Sequence, residues 1–384
     1  MKLAFITNLV NHHQIPLADE FYKVLGADYV YICTEPVPDW LIKGGYDPEI
    51  ERQYIIRTYE NDESLKKAKE IAVNADVVII GSAPEFYVEQ RIKDGKLTFR
   101  YTERWFKSKP WYFSGPRAWI NYYKNHIKHR NKPLFVLAAS AYTCRDVNDI
   151  GAYKNKVFKW GYFTRVDDFS LETSSKLDVS SVENTPQIMW CARFLRLKHP
   201  ELPILLAKRL KDNGYKFQLN MFGSGERLNA TKQLATDLDV NDVVAFCGNL
   251  PNDEILKQMR AHEIFLFTSD KNEGWGAVLN EAMSNGCAVV ASHLIGAAPF
   301  LIEDDVNGLI FRSESIDDLE RKVVYLLSNP DKRIKLAKNA IFSMREVWSP
   351  ANAAKQFLQL VESIKTNNAE ILPSNGPGSM AERL

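Results

Sequence analysis

The feature that most constrains this chain is an alternation. Apolar runs of four or five residues recur along its 384 residues, separated by longer stretches in which apolar residues return with helical spacing. Short continuous apolar runs suit strands buried on both faces, and the stretches between them suit helices covering a parallel sheet. Leu3–Thr7, Tyr29–Cys33, Val77–Ile80 and Leu134–Ala138 read as strands, with helices at 14–25, 62–74 and 117–129. Around 170–187 the chain turns polar and loses periodicity, as in Ser180-Ser-Val-Glu-Asn-Thr-Pro186, which suits an interdomain linker. A second series then begins: strands at Ile188–Cys191, Phe217–Met221, Val243–Cys247, Ile264–Phe267 and Ala288–Ala291, with helices near 201–213, 252–260, 276–285 and 315–328. The length also exceeds what one core usually supports. Two α/β domains in tandem are expected, with ligands at the carboxyl ends of their strands.

The expected boundaries are 1–175 for the first domain, 176–347 for the second and 348–366 for a last helix, with Ser349 as N-cap and Pro350 as its first residue. Residues 367–384, rich in Asn, Gly, Pro and Ser, read as a disordered tail. The apolar run from Leu3 ends at Val10, too short for a signal peptide, and no later run approaches a membrane span. The five cysteines form no C-x-x-C pair and mostly sit in strand-like runs, which reads as reduced core thiols in a cytoplasmic protein. A net charge of +1 implies no bulk attraction to nucleic acid or membrane. No internal repeat is present.

The sharpest local feature lies between two predicted strands. Thr268-Ser-Asp-Lys-Asn-Glu273-Gly274-Trp275-Gly276 is a polar, glycine-bearing loop at a strand's carboxyl end, and Ala277–Asn285 is a strong helix former ending at Gly286. The first N–H groups of such a helix, including those of Ala277 and Val278, favour an anion, and the glycines let the backbone approach it closely. Glu281, five residues beyond Gly276, lies roughly 7–8 Å along the axis. A diphosphate spans a similar distance, so Glu273 and Glu281 can grip the two ends of a ligand whose diphosphate lies between them. Spacing alone would leave the pair a coincidence; the glycine loop and the cost of burying an idle carboxylate argue otherwise.

In this context the chain resembles retaining glycosyltransferases of the GT-B fold, specifically glycosyltransferase family 4 (glycosyl transferases group 1), whose signature is two glutamates with seven residues between them. The similarity runs from Phe267 through Glu273, Glu281 and Gly286 and on through Ile302-Glu-Asp-Asp-Val-Asn-Gly308-Leu-Ile-Phe311. Upstream, Met189-Trp-Cys-Ala-Arg193-Phe-Leu-Arg-Leu-Lys198 resembles the family's first strand and loop, in which an arginine and a lysine neutralise the donor diphosphate; Ala192 replaces the usual glycine. Phe222-Gly223-Ser-Gly225 resembles the next turn, and Phe246-Cys-Gly248-Asn249 the turn bordering the nucleobase pocket. Leu228 occupies the third glycine position of a dinucleotide fingerprint, so an NAD site is not expected. The resemblance implies two Rossmann-like domains facing each other across a cleft, with the C-terminal helix returning to the first.

It further implies transfer of a sugar, with retention, from a UDP- or GDP-type donor to a hydroxyl of a glycan or lipid-linked glycan, as in cell-surface polysaccharide assembly. No metal and no cofactor are implied; the nucleoside-diphosphate sugar is a substrate. Arg193 and Lys198 would hold the diphosphate, Glu273 the sugar and Glu281 the ribose. Asp237-Leu-Asp239, which looks like an acidic metal motif, reads as surface. His12 and His13, after the first strand, would meet the acceptor or simply cap the next helix.

The stretch 90–132 carries twelve Lys and Arg against two acidic residues, with ten aromatics interleaved. It suits peripheral contact with an anionic membrane or, equally, aromatics in a core with solvated charges around them. Nucleic acid is not expected, because no compact motif for it appears. Ser82-Ala-Pro-Glu85, Arg100-Tyr-Thr-Glu-Arg104 and Lys159-Trp-Gly-Tyr-Phe163 stand out without an assigned role. Two other readings stay open: a nucleotide-sugar epimerase on the same scaffold, and a non-catalytic partner subunit.

Overall fold

The structure, a computed structural model, describes residues 1–42, 50–107, 115–167 and 185–384. It divides into two units: Met1–Arg165 with Trp348–Leu384, and Val166–Val347. The first is built on seven parallel strands, β1 (Leu3–Thr7), β2 (Tyr29–Cys33), β3 (Ile55–Arg57), β4 (Val77–Ile80), β5 (Thr98–Thr102), β6 (Leu134–Ala138) and β7 (Val157–Lys159), in the order 3-2-1-4-5-6-7. The second has six, β8 (Gln187–Cys191), β9 (Gln218–Phe222), β10 (Val244–Gly248), β11 (Ile264–Phe267), β12 (Ala288–Ser292) and β13 (Leu309–Phe311), in the order 10-9-8-11-12-13. Each sheet reverses its strand order once, between β1 and β4 and between β8 and β11. At such a point the connections leave in opposite directions and open a crevice at the carboxyl ends of the strands.

Central strands buried on both faces were legible: β1, β4, β11 and β12 are buried at every position. Edge strands β3, β7 and β13 were not, being three residues each. β5 was hidden for another reason, since Arg100 sits at its centre and is buried. Its guanidinium donates to both carboxylate oxygens of Glu85, at 2.7 and 2.9 Å, and to the carbonyl of Asn125 at 3.0 Å. A bidentate pair of this kind lets a charged residue occupy a core strand.

Ser349 caps the last helix, Pro350–Thr366, by accepting from the Asn352 N–H at 3.3 Å. Phe357 of that helix packs against Phe21, Phe99 and Trp160, with ring centroids 5.4, 5.1 and 5.7 Å away, so the helix completes the core of the first unit. Two boundaries differ from expectation. The division falls at 165/166, not 175/176, and most of the polar stretch 170–187 lies outside the described residues. The tail beyond 366 is placed, not disordered. Lys159 N–H donates to Ser379, Gly378 N–H to Lys159 and Ala381 N–H to Val157, at 2.7, 2.8 and 2.9 Å. Edge strand β7 offers unpaired backbone groups that composition does not reveal, and the tail satisfies them.

Candidate functional site

At the β8/β11 crevice two loops are tied together through their backbones. The Trp190 indole N–H donates to the Thr268 hydroxyl at 2.9 Å, and that hydroxyl donates to the Lys198 carbonyl at 2.6 Å. Asp270 N–H donates to the Leu197 carbonyl at 2.9 Å, while the Asp270 side chain accepts from Asn272 N–H at 2.7 Å. His199, at φ 48°, lies between Glu201 and Asp270, 2.8 and 3.4 Å away, and these carboxylates raise its pKa. The result fixes Lys198 beside Glu273 in an ion pair, each side chain 13 % exposed. The Lys198 ammonium also sits 5.5 Å from the Phe267 ring. Two residues 75 positions apart in sequence thus meet.

Arg193, on the loop leaving β8, is exposed, and its side chain makes no ion pair among the described residues. Glu281 lies on the helix Val278–Ser284 and is 8 % exposed. Burial pushes its carboxyl up to about 7, opposed in part by a hydrogen bond with Asn252. Cys191, at the end of β8, has its thiol pushed up to about 12 by burial and then by the Glu281 charge, with Lys198 pulling the other way. Electrostatic coupling therefore links Glu281, Cys191, Lys198 and Glu273 across the crevice. Asn252, which opens the helix after β10, extends that environment toward the Gly248–Asn249 turn.

The glycines have a structural cause that a ligand alone would not require. Gly223 has φ 126°, and a Cβ there would lie 2.0 Å from the Ala192 carbonyl oxygen; at Gly225 it would lie 2.6 Å from that of Phe194. Ala192 N–H donates to Phe222 and Phe194 N–H to Ser224, at 3.2 and 2.8 Å. Gly223 N–H reaches Gly248, and the Asn249 amide donates to the Ser224 hydroxyl at 2.9 Å. The turns after β8, β9 and β10 are thereby fastened into one surface. At Gly276, φ 87°, a Cβ would meet the Phe267 ring at 2.6 Å.

Most of the expected residues fall on the second unit's loops or on the strand and helix ends that flank them: Arg193, Lys198, Gly223, Gly248, Asn249, Glu273, Gly274, Gly276 and Ala277, with Val278 and Glu281 on the helix that follows. Trp275 is a correction, because its side chain is fully buried, donates to Asn280 Oδ1 at 2.8 Å and faces Phe300, so it is core and not available to a ligand. The helix is also shorter than expected, seven residues, because Gly276 and Ala277 form its entry turn. The N–H groups of Ala277 and Val278 make no backbone hydrogen bond among the described residues. Sequence reading weighed His199, with Arg196, only as a competing cation and gave Thr268, Asp270 and Asn252 no role; polar residues closely following an apolar strand were the available signal.

His12 and His13 belong to the first unit. Their rings lie 3.8 Å apart, and burial and His12 lower the His13 pKa to about 3, so His13 is neutral across physiological pH. The basic, aromatic stretch divides between two fates. Arg91 is buried and donates to Thr98 and to the carbonyls of Ala72, Ala75 and Leu97, and Phe99 and Tyr101 are core. The helix Pro116–Asn125 has no buried residue and exposes Ile120 and Tyr123; Trp111, Tyr112 and Phe113 lie outside the described residues. Cys247 is exposed, contrary to the core reading of the cysteines. Among the described residues no helix is long and apolar enough to cross a membrane.

Residues 174–341 match the family model described as Glycosyl transferases group 1. An uncharacterised glycosyltransferase of Methanocaldococcus jannaschii is 28 % identical over 154 residues, covering 40 % of this chain and 39 % of that protein. A D-inositol 3-phosphate glycosyltransferase of Corynebacterium aurimucosum is 27 % identical over 179 residues, covering 45 % and 42 %. The chain thus matches about two fifths of the length of these relatives. The crystal structure of HepE from Anabaena in complex with UDP superposes with a TM-score of 0.68 at 16 % identity, covering 94 % of this chain and all of that one. Its agreement extends over both sheets, and the family match falls on the unit that carries Glu273 and Glu281. The chain therefore has the fold of these GT-B structures, and its second unit is similar, over 174–341, to the glycosyl transferases group 1.

Proposed function

We propose that the chain is a glycosyltransferase that moves a sugar from a nucleoside diphosphate to a hydroxyl of a glycan or lipid-linked glycan, with retention. The observation that carries this reading is the convergence at one crevice of an exposed cation, Arg193, a fixed Lys198–Glu273 pair and a buried carboxylate, Glu281. A departing diphosphate gains negative charge as the glycosidic bond breaks, and cations held in place stabilise that state. Arg193 and Lys198 take the diphosphate, with the N–H groups of Ala277 and Val278 beside it. Glu273 takes sugar hydroxyls, and Glu281 accepts from the ribose. No enzyme base acts on the far face of the sugar; the leaving phosphate assists the incoming hydroxyl on the same face. UDP is the first nucleotide to test, since the HepE structure holds it.

A panel of UDP- and GDP-sugars screened for thermal stabilisation tests the donor, because a ligand of the native state raises the melting temperature. Incubation with donor alone separates this reading from an epimerase, which would convert the sugar without acceptor. The exposed face of helix Pro116–Asn125, with Ile120 and Tyr123 beside Arg117 and Lys124, supports peripheral contact with an anionic membrane. Flotation with phosphatidylglycerol vesicles tests it: protein that stays at the bottom of the gradient removes the membrane from the account.

A further inference from the structure

The β1/β4 crevice of the first unit holds a cavity of about 380 Å³ that the donor reading does not use. Its volume is at the lower end of the range for ligand pockets, about 300–1,000 Å³. Asn8, Asn11, Ser82 and Thr102 supply hydroxyl and amide groups to its wall, and Tyr162 an aromatic ring. Such a lining suits a sugar. The charge on the wall is less ordinary. Glu103 is occupied on both oxygens, accepting from the Tyr162 hydroxyl at 3.1 Å and from Lys107 at 3.2 Å. Arg104 has no comparable partner. Its side chain is 5 % exposed and its guanidinium lies 4.7 Å from the Tyr142 ring centroid. Nη2 donates to the Phe106 carbonyl at 3.3 Å, but neither Nε nor Nη1 has a hydrogen-bond acceptor among the described residues.

Asp146, the nearest carboxylate at 4.0 Å, does not fill that role. Its Oδ2 already accepts from the N–H groups of Trp105 and Phe106, at 2.8 and 3.0 Å. Arg145 lies 3.9 Å from its other oxygen. The charged residues that line the cavity are thus Arg104 and Lys107 against Glu103, an excess of one positive charge. A buried guanidinium with unmade hydrogen bonds is costly, and an anion brought by a ligand would supply the missing acceptors. We infer that this cavity is an acceptor subsite selecting a sugar that carries a carboxylate or a phosphate ester, read by Arg104 with Lys107 at its side. The inference rests on the glycosyltransferase reading above. It gives Arg100-Tyr-Thr-Glu-Arg104 a division of labour, with Arg100 holding strand β5 and Arg104 meeting the ligand.

The test uses the full chain and calorimetric titration with methyl glucoside, methyl glucuronide, methyl glucoside 6-phosphate and inorganic phosphate, alongside UDP. At least one anionic glycoside should bind about tenfold or more tightly than the neutral one, and which of the two does so tells carboxylate from phosphate. Arg104→Gln should abolish that preference and Lys107→Gln should reduce it, both leaving UDP affinity unchanged. Lys107, 35 % exposed, carries the test should Arg104→Gln fail to fold. Equal binding of neutral and anionic glycosides overturns the inference, as does a preference that survives both substitutions, or phosphate alone binding as tightly as the glycosides. UDP binding without the preference removes only this inference; the preference without UDP binding removes only the donor reading.

Discussion

The two crevices share one topology and are finished differently. At β8/β11 the loops are fastened through backbone hydrogen bonds and the central charges are already paired, Lys198 with Glu273. At β1/β4 the wall keeps an open cavity and a guanidinium short of acceptors among the described residues. On the proposed function, the β8/β11 site meets the same ligand part in every turnover, a diphosphate, and can be built rigidly from turns and glycines. The proposed acceptor subsite, which would choose among glycans, instead carries its selectivity in side chains on a common strand framework. The contrast can be broken or sharpened in four ways.

The largest effect is expected at the charges of the β8/β11 crevice. Glu273→Gln and Arg193→Ala should each lower kcat/KM about a hundredfold or more while the circular dichroism spectrum stays native. They should separate on UDP alone: Glu273→Gln leaves Lys198 free and UDP affinity undiminished, whereas Arg193→Ala weakens it. Initial rates and calorimetry check both, and equal loss of UDP affinity in the two variants would refute the assigned roles.

Next comes Glu281. Its carboxyl titrates at about 7 in the folded chain against an ordinary 4.5. Between these values the folded state holds a proton that the unfolded state has lost, so stability falls as pH rises through that window. The cost above pH 7 is at most about 3 kcal/mol. Glu281→Gln should therefore raise the melting temperature more at pH 8 than at pH 5, while reducing stabilisation by UDP. A gain that does not change with pH would show that the carboxyl titrates normally.

Gly223→Ala should cost about 1–3 kcal/mol, since its Cβ has no room beside the Ala192 carbonyl and φ 126° strains any other residue. Denaturant midpoints measure it, and an unaltered midpoint would mean that the turns after β8 and β9 are not fastened as described. The smallest effect is a fraction of a proton released when UDP binds near pH 7, as ribose hydroxyls favour ionised Glu281. Calorimetry in buffers of different ionisation enthalpy reports it, and an enthalpy independent of buffer would place the ribose elsewhere.

Much of this was legible in the sequence, for identifiable reasons. Continuous apolar runs mark central strands because both faces are buried, and Ser349-Pro350 marks a helix start because capping is local. Glu273 and Glu281 could be singled out because a glycine loop at a strand's carboxyl end and a helix start frame them, and Arg193 and Lys198 because the loop that carries them resembles the family's. What stayed hidden depended on partners distant in sequence. Arg100 looks like a surface charge until Glu85 is beside it, Trp275 looks like a loop residue until Asn280 and Phe300 enclose it, and residues 367–384 look disordered until β7 offers its edge. The Lys198–Glu273 contact is of the same kind, since only the sheet order brings those loops together.

The most direct test of the central claim is the melting temperature of the full chain with UDP, GDP and their sugars, compared with that of Arg193→Ala. At a hundredfold excess over Kd, one nucleotide series should stabilise the native chain by about 2.7 kcal/mol, a shift of several degrees that Arg193→Ala loses. Absence of any shift, or an equal shift in both proteins, would contradict a nucleotide site at the β8/β11 crevice.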